Sequence, residues 1–62
     1  MTPTEWIKLT DEIVNVLEGI GGRITKNTGT VNDDWSVTRT IEFEDGWGDL
    51  NTVTVNARYN PR

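Results

Sequence analysis

The feature that most constrains this chain is a change of hydrophobic period at a cluster of glycines. Before Gly19-Ile20-Gly21-Gly22, apolar residues recur every three or four positions; after it they alternate. Trp6, Leu9, Ile13, Val16, Leu17 and Ile20 share one face of a helix, and Ile7 and Val14 widen that face to about half the circumference. Glu5, Lys8, Asp11, Glu12, Asn15 and Glu18 fall on the opposite side. The start is marked by Thr2 as N-cap, Pro3 at N1 and Glu5 at N3, a capping box, with Met1 and Trp6 placed for a hydrophobic staple; Thr4 is an alternative cap. Gly19 is the candidate left-handed residue that ends the helix.

Beyond Gly22 the pattern is that of strands. Residues 35–44 place Trp35, Val37, Ile41 and Phe43 on one side and Ser36, Thr38, Thr40, Glu42 and Glu44 on the other. Val53, Val55, Ala57 and Tyr59 alternate with Thr52, Thr54, Asn56 and Arg58 until Pro61 stops the strand. Residues 23–31 form a weaker strand. Ile24 and Val31 have mismatched parity, which a bulge at Gly29 would repair. Asn32-Asp33-Asp34 and Asp45-Gly46-Trp47-Gly48-Asp49 supply the turns. The expected fold is α+β: residues 1–62 form a single αβββ domain, with one N-terminal helix packed on a three-stranded antiparallel meander. Arg39 breaks the pattern, because its parity puts it on the core face. It is expected either at the sheet periphery, with its stem buried and its head in water, or paired with a helix acid.

Composition narrows function. Without Cys there is no disulfide and no thiolate metal site, and without His the commonest general base and transition-metal ligand are missing. No nucleophile–base set, phosphate-cradling glycine loop or HExxH occurs, and a two-layer domain of 62 residues has little room for a cleft. The expectation is a non-enzymatic protein with no cofactor and no metal. Asp45–Asn51 carries oxygen ligands without calcium-loop spacing. No segment reads as a membrane span or a signal peptide, so a cytoplasmic location is the default.

Ten acidic against six basic residues give a formal charge of −4, which disfavours direct binding to nucleic acid and suits a partner with a basic surface. The acids fall in three groups. Glu42, Glu44, Asp45 and Asp49 crowd one end of the meander, Asp33 and Asp34 lie at the opposite turn, and Glu5, Asp11, Glu12 and Glu18 lie along the outer helix face. Each group is either an ordinary solvated surface or a docking field for Lys and Arg. Trp47, between two glycines, either folds back to close the open end of the core, the slightly favoured reading, or stands out as a binding anchor. The uncharged sheet face with Ser36, Thr38, Thr40, Thr54 and Asn56, and the two sheet edges, offer a further mode: pairing with another chain. A monomer is expected over a homodimer.

In size, acidity and lack of catalytic residues the chain resembles small acidic phage-encoded inhibitors, including the anti-CRISPR proteins. That resemblance implies a single domain without cofactors that occludes the basic, nucleic-acid-binding surface of a larger protein or ribonucleoprotein, by nucleic-acid mimicry in several members, in the host cytoplasm. The αβββ order is also similar to the first part of a double-stranded RNA-binding domain, but the basic final helix is missing. The alternative function is a structural or assembly protein that pairs through a sheet edge.

Overall fold

A computed structural model describes residues 1–58. Helix α1 spans Pro3–Gly19, and strands β1 (Arg23–Val31), β2 (Ser36–Glu44) and β3 (Leu50–Arg58) form an antiparallel sheet in the order β1-β2-β3. This is the expected α+β meander. Tyr59 and Pro61, expected at the end of β3, lie outside the described residues.

The capping box forms as read. Thr2 Oγ1 accepts from the Glu5 backbone N–H at 3.3 Å, and Glu5 Oε1 accepts from the Thr2 N–H at 3.1 Å. The left-handed residue that closes the helix lies two positions beyond Gly19. Ile20 is the C-cap, and Gly21 takes the left-handed conformation at φ 90°. Gly22 N–H donates to the Leu17 carbonyl (2.8 Å) and Gly21 N–H to that of Glu18 (3.1 Å), which is a complete Schellman motif.

The strand bulge exists, but not at Gly29. The β1–β2 register shifts between Ile24 and Lys26, so Thr25 is the extra residue, and its hydroxyl donates to the Glu42 carbonyl at 3.1 Å. The shift has the consequence the parity demanded: Ile24 pairs with Phe43 and Val31 with Val37 on the same face. Gly29 stays in regular register opposite Arg39, whose guanidinium lies across it. A Cβ at position 29 would stand 3.2 Å from Arg39 Cζ. Arg39 therefore runs sideways over β1. Its Nη1 donates to Asn27 Oδ1 at 3.1 Å rather than to a helix acid, and its buried Nε has no partner.

The core is small. Leu17, Ile41 and Phe43 form its centre, with Ile13, Val14, Ile24 and Val53 packed around them. Trp6 and Val37 are buried as well. The helix lies over β1 and β2, so its buried line is narrower than the apolar half-circumference in the sequence. Leu9, Val16, Ile20 and Ile7 remain exposed, which corrects their assignment to the core. Thr10 takes a buried place between Trp6 and Leu17, its hydroxyl bonded back to the carbonyls of Trp6 and Ile7 at 3.0 Å each. On the opposite sheet face, Thr38 Oγ1 accepts from both Asn32 Nδ2 (3.1 Å) and Asn56 Nδ2 (2.8 Å), tying the β1–β2 turn and β3 to β2.

Trp35 does not belong to β2. It lies in the β1–β2 turn at φ 63°, 65% exposed, where the core-face alternation had placed it inward. The turn explains this. Trp35 N–H donates to the Asn32 carbonyl (3.3 Å) and Asn32 N–H to that of Ser36 (2.8 Å), a type of hairpin loop that ends on a left-handed residue before the strand resumes.

Candidate functional site

The β2–β3 turn is built on the same plan. Gly48 N–H donates to the Asp45 carbonyl at 3.1 Å, Asp45 N–H to that of Asp49 at 2.9 Å, and Gly48 takes the left-handed position at φ 85°. The side chain of Asp45 organises the loop from within. Its Oδ1 accepts from the backbone N–H groups of Trp47 (2.8 Å) and Asp49 (3.1 Å), and its Oδ2 accepts from Asn51 Nδ2 (2.9 Å). These donors, the Trp47 N–H foremost, hold the Asp45 carboxyl below its ordinary range.

Trp47 stands at the tip of this braced loop and is 91% exposed. The expectation that it folds back to close the core is corrected. That end of the core is already filled by Phe43, Leu17 and the Gly22 backbone, a Cβ on which would meet Phe43 at 3.2 Å. The loop leaves Trp47 and, at the start of β3, Leu50 in solvent. The backbone beneath Trp47 is braced, its N–H being one of three donors to the Asp45 carboxylate, so little backbone entropy of the loop remains to be lost on binding.

The acids divide by the work they already do. Glu44 is engaged with Arg23 at 2.9 Å, and Glu42 sits in register with Lys26 across the β1–β2 pair. Of the two, Glu44 has its charge neutralised by an ion pair. Asp45 is committed to its loop, which leaves Asp49, exposed beside Trp47, as the outward acid of this end. At the opposite turn Asp34 Oδ1 accepts from the Ser36 hydroxyl and from the Ser36 N–H (3.1 Å). These two bonds, the hydroxyl first, lower its carboxyl, while Asp33 is exposed. Glu5 is held in the capping box, and its carboxyl is lowered chiefly by the Thr2 N–H. Asp11, Glu12 and Glu18 are exposed on the helix. The structure thus brings Glu44, Asp45, Trp47 and Asp49 together at one end. It keeps Asp33 and Asp34 at the other end, and the helix acids on the far side of the sheet from Glu42 and Glu44.

Sequence reasoning missed Trp35 as a second exposed aromatic. The signal was present: Asn32-Asp33-Asp34-Trp35 aligns with Asp45-Gly46-Trp47-Gly48 as the same loop, which places Trp35 where the other loop has its left-handed glycine. The described residues contain no group of three or more metal-ligating side chains. An apolar groove of about 290 Å³ beside Leu9, Ile13 and Val16 is an open trough on the helix flank. Comparison with family models, curated proteins and solved structures finds no match for this chain.

Proposed function

We propose that this domain is a non-enzymatic binding protein that docks its β2–β3 tip on a larger protein, with Trp47 as the anchor. The observation that carries the reading is the 91% exposure of Trp47 on a loop braced by Asp45. So much apolar area on a rigid, charged tip suits insertion into a pocket, since tryptophan dominates interface energetics where it is fully desolvated. Asp49 beside it, and the net charge of −4, favour a basic rim around that pocket. A partner of this kind is the nucleic-acid-binding surface of a protein or ribonucleoprotein. Occluding it is how an inhibitor of the phage-encoded, anti-CRISPR type works, with carboxylates standing in for phosphates. Mimicry here is local: Glu44 is paired with Arg23 and Glu42 shares a register position with Lys26, so the tip rather than the whole sheet meets the partner.

The test is capture of partners from host lysate on the immobilised chain, at low and high salt, with wild type beside Asp49→Lys. Capture that falls with salt and with the charge reversal supports the reading. Equal capture by both proteins at both salt concentrations rejects it.

A further inference from the structure

The two edges of the sheet are not equivalent. β1 carries the protections usual for an exposed edge: the bulge at Thr25, two basic residues (Arg23 and Lys26) and a glycine. β3 has no bulge and no glycine, and its one basic residue, Arg58, stands at its end. From Leu50 through Ala57 it holds no charge, no proline and no glycine, its register with β2 is unbroken, and it alternates Val53, Val55 and Ala57 with Thr52, Thr54 and Asn56. Because the helix lies over β1 and β2, the inward side chains Val53, Val55 and Ala57 are only half-buried.

We propose that β3 is a homodimer edge, pairing antiparallel with β3 of a second copy about a two-fold axis at Thr54. The occupant follows from self-complementarity. With Thr54 opposite itself, Val53 of each copy faces Val55 of the other on the helix side, and Thr52 faces Asn56 on the outer side. The sole charged residue of β3, Arg58, lies opposite Leu50 and next to Asp49 of the other copy, so each end of the pairing joins a cation to an anion and lays the arginine stem over an exposed leucine. A nine-residue strand gives about 30 Å of new ladder, and the product is a continuous six-stranded sheet with no unprotected edge. The proposal leaves the Trp47 indole exposed at the two ends of the new ladder, although Asp49 then lies near Arg58 of the other copy as well as beside Trp47.

Sedimentation equilibrium of the full chain, from micromolar to millimolar concentration, tests it with Thr54→Lys and Thr54→Glu. Position 54 is exposed on the outer face, so both variants are expected to keep the wild-type circular dichroism. Wild type is expected to approach twice 7.0 kDa. Each variant alone places like charges against each other on the axis and weakens association by about tenfold or more. An equimolar mixture of the two recovers the dimer. A wild-type monomer at every concentration overturns the proposal. So does a dimer indifferent to both variants, or a mixture that stays monomeric. A foreign protein captured by monomeric wild type and lost with Thr54→Lys would assign the edge to a heterologous strand, and this too overturns it.

Discussion

Replacing Trp47 by alanine separates a surface anchor from a core residue. At 91% exposure only about a tenth of the side chain is covered, on the order of 25 Å² for a tryptophan of roughly 250 Å². At about 25 cal/mol per Å² this is worth about 0.6 kcal/mol at most. The loop itself does not depend on the indole: Asp45 bonds the backbone N–H of residue 47, and the left-handed position belongs to Gly48. For a domain of this length such a loss lowers Tm by about 2–5 °C. Trp6→Ala is the internal reference. Trp6 is 7% exposed, and truncating a buried tryptophan costs about 3–5 kcal/mol. The whole domain is expected to have roughly 3–9 kcal/mol of stability, so that variant loses at least about a third of it and melts far below wild type. Thermal denaturation followed by circular dichroism measures both. A fall of more than about 10 °C for Trp47→Ala would show that the indole packs on the domain, and the reasoning that makes it an anchor would be refuted.

Other substitutions probe the loops and the helix end. Gly48→Ala meets no atom within 4 Å but must hold φ near 85°, so it is expected to cost about 1–2 kcal/mol, whereas Gly46→Ala, equally unobstructed, is neutral or slightly stabilising; chemical denaturation compares them. Gly22→Ala brings a Cβ to 2.7 Å from the Leu17 carbonyl and 3.2 Å from Phe43, and is expected to lose about 1–3 kcal/mol in the same assay. Glu5, Asp34 and Asp45 have carboxyls lowered by hydrogen bonds in the folded state, so their stabilisation is complete above the ordinary carboxylate pKa and is lost as pH falls through the lowered folded values. Melting temperature should therefore drop below about pH 4, and the drop should be shallower in Asp45→Asn than in wild type.

How much of this was legible in the sequence depends on whether a feature was local. The capping box is local, because Thr2 and Glu5 are three residues apart and their side chains bond within that pair. The alternation of β2 is local too, and it placed Val37, Ile41 and Phe43 correctly. Features that need the register across strands were harder. Parity showed that β1 must contain a bulge, but glycine preference pointed to Gly29, while the structure uses Thr25 and reserves Gly29 as the floor beneath Arg39. The width of the helix's buried line depends on where the helix sits over the sheet, which periodicity does not encode; Leu9 and Val16 were assigned inward and lie in solvent. For the acids, the sequence counted charges, but only the fold shows that Glu44 meets Arg23 and that Asp45 is spent inside its own loop. Trp47 was ambiguous because a turn residue of either role looks alike until the end of the core is seen to be filled.

The measurement closest to the central claim is a ¹⁵N–¹H correlation titration of the labelled chain with the protein it captures. The account predicts that perturbed amides, and the Trp47 indole N–H most of all, map to residues 44–50, while Asp11, Glu12 and Glu18 on the helix stay in place. Perturbations confined to the helix, with the Trp47 indole resonance unmoved at saturation, would contradict it.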